Sequence, residues 1–469
     1  MGILSRAEVE IADVLAVARG RDRLKFASVI QRDIADSRAI VDAVLDSGEP
    51  VYGLNTELGA GRDIVVSAER LEEFQRRTIR NSSGGIGSPL PEEQARAVIF
   101  TRLVGFSRGG SGVTLALATQ YLELLNRDVY PLIPRTGSVG AADLTQLAAV
   151  AAVAIGDGQA FVDGVAVSGA AALAAAGLEP VTLQPHEGLA ALSSNAYSVG
   201  VGALVVSDLA AVVNASDRVL ALSLAAIGGN LSPFSPEIQS AHRSIGQQAS
   251  AARVRAFLPS LPAASTQDPL SFRTAPQIHG ALAEAVTAAA ASIRLELNSR
   301  TDNPLVDVES GRMISGGNFQ VLGLALSYEQ LRLALAHVAV ASERRIAKLS
   351  ALSATARRSG EAKVPGLIWY SASALVAELR HLANPVSLNG SSLSEDVEDV
   401  ASGAALALQL LERSAALTRK VLAIEGICAA ELIDSRSWSG SLGALADVVA
   451  ASLGLPAEEL VARVESVLY

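Results

Sequence analysis

The residue types that most often carry chemistry are sparse in this chain, and their spacing excludes two common kinds of site. The chain has five histidines and one cysteine, Cys428. No two histidines have the close helical spacing of a metal-binding pair, and one cysteine allows neither an intramolecular disulfide nor a zinc cluster. We therefore expect no metal site, and we interpret Cys428 as a small buried apolar residue.

Phosphate and nucleic-acid chemistry are also disfavoured. A cluster of glycines between Gly105 and Gly112 follows no recognisable strand and lacks the lysine that binds phosphate, so a nucleotide site is not expected. The formal net charge of −10 would repel nucleic acids and anionic membranes. A local basic patch remains possible.

The elements that must position any site are predicted to be helices. Apolar residues make up 50% of the 469 residues but aromatic residues only 4%, so Ala, Leu, Val and Ile supply the core. One apolar seam, typical of a helix packed on other helices, has spacings of three and four residues: Leu324, Tyr328, Leu331, Leu335 and Val338. We expect this long helix to begin near Asn318 and Phe319, and we predict an all-α protein built on an extended bundle.

Glycine and proline concentrate in a few segments that should be loops at helix ends, where function usually lies. These segments are Tyr52–Gly61, Ser82–Pro91, Gly105–Gly112, Pro131–Gly140 and Ser310–Asn318. The uncharged stretch Gly188–Ser207 contains four serines and is interpreted as a buried helix rather than a membrane span. Charges at Arg6, Glu8 and Glu10 interrupt any signal-peptide core, so we expect a cytoplasmic protein.

Several segments, in this order along the chain, resemble the histidine, phenylalanine and tyrosine ammonia-lyases and the related aminomutases. They are VYGLNTELG (Val51–Gly59), GSVGAADLTQLA (Gly137–Ala148), GLEPVTLQPHEGLA (Gly177–Ala190), QDPLSFR (Gln267–Arg273), TDNPLV with ISGGNF (Thr301–Phe319), SERRI (Ser342–Ile346) and VEDVASG (Val397–Gly403). Each is weak alone, but their shared order over most of the chain identifies the family.

The resemblance implies a central helical bundle of the type shared with the aspartase superfamily, assembled as a homotetramer. It also implies a body at residues 1–435, followed by a short C-terminal helical segment, 436–469, that matches no motif of the family. The expected partners are an amino acid substrate and the other subunits, with no nucleic acid and no membrane.

The chemistry that the resemblance implies is the removal of ammonia from an amino acid. Relatives use a methylidene-imidazolone ring, which forms when an internal Ala-Ser-Gly cyclises and loses water. At the matching place this chain has Ala141, Ala142 and Asp143, and Ala142 carries no hydroxyl to lose. Two interpretations stay open: the ring is lost, or an altered precursor still supplies this cofactor.

The resemblance also assigns the other site residues. Tyr52 matches the catalytic base, and Glu398 matches an acid near the amine. Arg273 matches the arginine that binds the substrate carboxylate, a task suited to its planar fork of donors. Gln267 would hydrogen-bond the substrate or ring, and Phe319 would form a pocket wall.

Departures from the family argue against a standard aromatic substrate. Ser82 replaces a histidine of the histidine-specific relatives, and Leu270 replaces a second tyrosine. Ser193 replaces the asparagine that steadies the ring, although Asn195 lies nearby. Glu57 stands where relatives have glycine; it either binds a cationic or polar substrate group or points outward as a loop charge.

The sequence therefore leaves three functions open. The first is an ammonia-lyase or aminomutase that acts on a free amino acid or a close derivative. The second is a repurposed relative without the ring that catalyses another elimination or isomerisation. The third is a homologue that binds a ligand without catalysis.

Overall fold

The computed structural model describes residues 2–433 and 440–469. Helices account for 61% of the chain and strands for 8%. This confirms the predicted all-α class, because the strands form only small ribbons between helices. The proposed boundary between 435 and 436 lies outside the described residues, and the separate C-terminal segment 436–469 stays a prediction.

The helices vary from single turns to more than thirty residues. In the first part of the chain they are α1 (Ile11–Ala18), α2 (Ser28–Ser47), α3 (Leu71–Ser82), α4 (Glu92–Ser107), α5 (Leu115–Asn126), α6 (Leu144–Ala154), α7 (Gly169–Ala175), α8 (Glu187–Ala190) and α9 (Ala196–Ile227). The later helices are α10 (Pro236–Ser240), α11 (Ile245–Phe257), α12 (Leu270–Arg273), α13 (Ala275–Leu297), α14 (Leu322–Leu352), α15 (Ala354–Ser359), α16 (Ile368–Leu382), α17 (Ala404–Ala430), α18 (Gly440–Ser452) and α19 (Ala457–Leu468).

The strands pair in small groups. They are β1 (Gly2–Leu4), β2 (Leu24–Phe26), β3 (Ile86–Pro89), β4 (Tyr130–Pro131), β5 (Pro134–Thr136), β6 (Gln159–Val162), β7 (Val165–Ser168), β8 (Leu305–Asp307) and β9 (Arg312–Ile314). β1 pairs in parallel with β2, whereas β3 with β5, β4 with β6, β6 with β7, and β8 with β9 pair antiparallel.

The apolar seam predicted for the long helix lies on α14. Its five residues, from Leu324 to Val338, are all buried. The helix begins at Leu322, however, and not at Asn318 or Phe319 as predicted. The backbone N–H of Gln320 bonds to the Gly317 carbonyl, and Gln320 pairs with Ala141, so a non-local contact holds this segment out of the helix.

Helix α9 is the one described helix that is long and apolar enough to cross a membrane. Of its most apolar window, 78% is buried inside the protein. Most of the stretch Gly188–Ser207 is likewise buried, as predicted. Burial of this kind is typical of a core helix, since a membrane span would expose its apolar surface to lipid.

The chain divides into two compact units. The first comprises Met1–Val205, Ala290–Leu326 and Val386–Leu408, and the second comprises Val206–Ala289, Ser327–Pro385 and Gln409–Tyr469. The core of the second unit includes the predicted buried cysteine, Cys428. Burial raises the pKa of the Cys428 thiol to about 12. The thiolate, the reactive form, is therefore scarce at neutral pH.

Candidate active site

Tyr52 lies in the first unit, on a tight loop that follows α2. Asn55 closes this loop: its side-chain oxygen accepts from the Val51 N–H at 2.7 Å and its amide donates to the Glu49 carbonyl at 2.9 Å. Gly53 has a φ of +69°, and a Cβ there would lie 2.3 Å from a methyl of Leu189. Local hydrogen bonds and one obligatory glycine thus fix the position of Tyr52.

A cavity of about 420 Å³ opens beside this loop. This volume is large enough for a small-molecule substrate. The sequence-predicted site residues that line the cavity come from segments far apart in the chain: Tyr52, Ala141, Ala142, Ser193, Phe319 and Glu398. The structure therefore brings together the phenol of Tyr52, the turn that contains Ala141 and Ala142 (the alanine turn) and the carboxylate of Glu398.

The alanine turn is held in a fixed shape. Ala142 has a φ of +59°, which is uncommon for a residue other than glycine. The Ser402 hydroxyl donates to the Gly140 carbonyl at 3.0 Å, and a Cβ on Gly140 would lie 2.2 Å from the oxygen of that hydroxyl. The turn thus presents Ala142 to the cavity with only a methyl group.

The residues of this turn do not fit the formation of a methylidene-imidazolone ring. Ala142 has no hydroxyl to lose as water, so no methylidene can form from it by the route that the resemblance implies. The N–H of Asp143, which would have to attack the Ala141 carbonyl, donates instead to the Ser194 carbonyl at 2.8 Å.

Asp143 joins the turn to the start of α9. Its carboxylate accepts hydrogen bonds from the Ser138 hydroxyl at 2.7 Å and from the Ser198 N–H at 2.8 Å. Burial raises the pKa of the Asp143 carboxyl to about 6, although these hydrogen bonds oppose the shift. Its role in the structure is to hold the turn rather than to face the cavity.

The raised pKa of Asp143 predicts a pH-dependent stability. The ordinary pKa is 3.8 and the folded value is about 6, so between these values the folded state binds more protons than the unfolded state. The free energy of unfolding should then fall by about 3 kcal/mol as the pH rises through this window. Chemical denaturation of wild type and Asp143→Asn at several pH values measures this, and parallel pH profiles would contradict it.

Glu398 lies on a loop of unusual backbone. Leu393 and Glu398 pair across it, and Ser394, Glu395 and Asp396 all have φ between +52° and +66°. Of the neighbouring acids, Glu395, Asp396 and Asp399 are exposed, whereas Glu398 is half-buried and lines the cavity. Burial raises the pKa of the Glu398 carboxyl.

The surroundings of Tyr52 favour its neutral form. Burial raises the pKa of the phenol, and the negative charge of Glu398 raises it further. The Gly59 N–H, which donates to the phenol oxygen at 3.0 Å, and the positive charge of Arg62 both lower it. Because the net shift is upward, a bound cation that offsets Glu398 would help Tyr52 to act as a base.

These opposing charges predict opposite shifts in the pH dependence of kcat/KM. Glu398→Gln should lower the pKa of Tyr52 and move the rising alkaline limb to lower pH, whereas Arg62→Gln should move it to higher pH. Asp399→Asn, which changes an exposed neighbour, is the control. Shifts of the same sign in both variants would contradict the assignment of Tyr52 as the titrating base.

Glu57 does not line the cavity. Its carboxylate forms an ion pair with Arg77 at 2.7 Å. Because a positive charge already neutralises it in part, Glu57 is less suited to bind a cationic substrate group than the sequence suggested. That role stays untested.

Three other predicted site residues, Ser82, Ser193 and Asn195, lie in the first unit. Ser82, the last residue of α3, is half-buried and does not line the cavity. Ser193 lines it, and its hydroxyl oxygen accepts from the Asn303 N–H at 2.9 Å. Asn195 is buried, and neither atom of its side-chain amide has a hydrogen-bond partner within residues 2–433 and 440–469.

Gln267, Leu270 and Arg273 belong to the second unit. With its oxygen turned towards Arg273, the Gln267 amide accepts from both terminal guanidinium nitrogens, at 2.7 and 2.8 Å. Leu270 is exposed. Gln267 thus orients the guanidinium that the resemblance assigns to the substrate carboxylate.

Sequence reasoning missed several residues that line the cavity, namely Arg62, Asp63, Leu144, Leu189, Asn303, Ser315 and Val397. Arg62 and Asp63 directly follow the glycine-rich loop of Tyr52, a signal that could have been used. Asn303 is positioned by its neighbour Asp302, which bonds to the buried Arg102 at 2.6 Å and to Ser111 at 2.9 Å.

Within the described ranges no group of three or more His, Cys, Asp or Glu residues could hold a metal.

The helical fold that carries this cavity is the fold of the ammonia-lyases and aminomutases. The chain belongs to the aromatic amino acid lyase family, whose model matches residues 9–453. This confirms the resemblance identified from the motifs. The family consists of carbon–nitrogen lyases and related enzymes that act on amino acids and build a methylidene-imidazolone from their own chain.

Individual relatives cover nearly the whole chain. The histidine ammonia-lyase of Stigmatella aurantiaca is 37% identical over 91% of this chain and 87% of its own length. Ergothionase from Treponema denticola, solved with desmethyl-ergothioneine sulfonic acid, has a TM-score of 0.93 at 26% identity and covers 100% of this chain and 98% of its own. Tyrosine aminomutase from Streptomyces globisporus has a TM-score of 0.90 at 27% identity, with coverage of 100% and 96%.

Proposed function

We propose that this protein is a carbon–nitrogen lyase that eliminates an amine from an amino acid derivative without an internal electrophilic ring. The observation that carries the proposal is the turn beside Tyr52, where Ala142 has no hydroxyl and the Asp143 N–H is bonded elsewhere. Of the functions that the sequence left open, this favours the ring-less elimination.

Without the ring, the substrate must bring its own leaving group. A primary ammonium is a poor one, whereas a quaternary ammonium leaves as a neutral tertiary amine and needs no electrophile to capture it. The cavity that Glu398 lines is also lined by the apolar Leu189, Phe319 and Val397. A cavity with both a carboxylate and an aromatic ring in its wall suits a quaternary ammonium, which makes no N–H hydrogen bonds.

A histidine-derived betaine is therefore the proposed substrate class. Ergothionase from Treponema denticola is an ergothioneine-degrading enzyme. Ergothioneine is, by its chemistry, a betaine of this kind.

In the proposed reaction Tyr52 removes the β-proton as its phenolate. The electron pair of the Cβ–H bond forms a Cα=Cβ double bond, and the Cα–N bond breaks with its pair leaving on the tertiary amine. Glu398 balances the positive charge before elimination, and Arg273 binds the carboxylate. The products are an unsaturated acid, a tertiary amine and the proton on Tyr52.

The decisive experiment compares turnover of histidine betaines, including ergothioneine, with turnover of L-histidine. We expect release of trimethylamine from a betaine and an intact mass without loss of water. Turnover should resist borohydride, which would inactivate a ring-containing histidine ammonia-lyase used as the control. Water loss together with release of ammonia from L-histidine would overturn the proposal, and thermal stabilisation by ligands without turnover would favour a binding role.

We also propose the homotetramer that the resemblance implies, located in the cytoplasm. Leu322, Leu326 and Leu333 are exposed along one side of α14, and their spacing keeps them on one face. Burying such a face between subunits would remove it from water. Sedimentation should show a tetramer that Leu326→Glu weakens, and a wild-type monomer would contradict this.

A further inference from the structure

The turn that bears Arg273 is anchored on one side by the core of the second unit. Helix α12 starts after Pro269, and Phe272 is completely buried in the apolar core. The N–H groups of Phe272 and Arg273 both donate to the Pro269 carbonyl, at 3.0 and 3.2 Å. The burial of Phe272 and these two local hydrogen bonds therefore fix one side of the backbone just before Arg273.

A second anchor comes from a buried ion pair. Arg345 on α14 and Glu425 on α17 are both fully buried, and the guanidinium binds the carboxylate through two nitrogens at 2.6 and 2.8 Å. The Ser223 hydroxyl donates to the same carboxylate at 2.7 Å. The remaining terminal nitrogen of Arg345 donates to the Ser271 carbonyl at 2.8 Å.

A buried ion pair of this kind is not explained by stability alone. Removing two charges from water is costly, and apolar residues of similar volume often stabilise a core as well or better. Such a pair does fix geometry, because a bidentate guanidinium has one orientation and its spare N–H groups point in defined directions. Here that direction is the backbone of the Arg273 turn.

We propose that Arg345, oriented by Glu425, is a positioning residue for Arg273. It holds the Ser271 carbonyl and thereby the turn from which Arg273 presents its guanidinium, while Gln267 orients the guanidinium itself. The inference rests on the proposed function for the role of Arg273 as the carboxylate-binding group. Its structural part, the hold on the turn, is independent of that function.

The test compares Arg345→Lys with Arg332→Lys in the full-length protein. Arg332 is a matched control because it is also fully buried on α14 and donates to a backbone carbonyl, that of Leu382, at 2.6 Å. Lysine keeps the charge but cannot reach both Glu425 and Ser271 as a planar fork does. We expect KM to rise about tenfold in Arg345→Lys, with kcat nearly unchanged. In Arg332→Lys we expect no rise in KM at unchanged kcat.

Two further measurements keep the result decisive. In a cycle with Arg273→Lys, the effect of Arg345→Lys on KM should largely disappear, because both act through one guanidinium. Amide hydrogen exchange of residues 270–274 should accelerate in Arg345→Lys but not in Arg332→Lys. Additive effects on KM, or unchanged exchange in that segment, would overturn the proposal.

If Arg345→Lys does not fold, Glu425→Gln serves in its place, since it keeps the shape and weakens the hold on Arg345. Faster exchange in residues 270–274 is again expected, with a smaller rise in KM. Should no substrate turn over, the proposed function fails, but the exchange experiment still decides whether Arg345 holds the turn.

Discussion

Replacing Tyr52 with phenylalanine is expected to lower kcat by about 10²- to 10⁴-fold, the usual contribution of a positioned base. The phenol oxygen is the atom that would take the proton, and Tyr52 lines the cavity. Substrate affinity should change little, because the variant lacks only the hydroxyl. Steady-state kinetics and ligand-dependent thermal stabilisation together measure both effects.

A matched control is available on α16. Tyr370 is an exposed tyrosine, so Tyr370→Phe makes the same chemical change away from the cavity and should leave kcat unaltered. Full activity in Tyr52→Phe would mean that another group removes the proton, and the elimination proposed here would lose its base.

Replacing Arg273 with lysine is the second change with a large expected effect. Lysine keeps the positive charge but loses the planar fork of donors and its contact with Gln267, so KM should rise about 10- to 100-fold. The change in kcat should be small if the carboxylate is bound equally in the ground and transition states.

A substrate analogue identifies the contact directly. Wild type should discriminate strongly against a carboxamide in place of the carboxylate, and Arg273→Lys should discriminate much less. Arg413→Lys controls for a surface arginine of the same unit, paired with Glu378. An equal preference for the carboxylate in wild type and Arg273→Lys would show that Arg273 does not bind that group.

Local patterns predicted the helices well but not where they begin. The seam of α14 could be recognised because three- and four-residue spacing places apolar side chains on one face. Its first residue could not, because Gln320 is held by Ala141, which lies far away in sequence. The sequence of residues 316–322 alone does not indicate that Ala141 is the partner.

The site residues that belong to sequence motifs could be predicted. The ion pairs between residues that are distant in sequence could not. Tyr52, Ala142 and Glu398 come from three motifs, and the structure places all three at one cavity. The ion pair between Glu57 and Arg77 depends on how α3 packs against the loop, which no local pattern encodes. No local pattern encodes the ion pair between Arg345 and Glu425 either. Arg345 lies in the family segment SERRI, but nothing in that segment points to Glu425.

The buried Cys428 makes this protein convenient for site-specific labelling. Since it is the chain's one cysteine and its thiol is held in the core, maleimide reagents should find no reactive background group in the folded protein. A cysteine introduced at the highly exposed Leu388 would then be modified selectively. Fluorophores or spin labels could be attached there without first removing the native thiol.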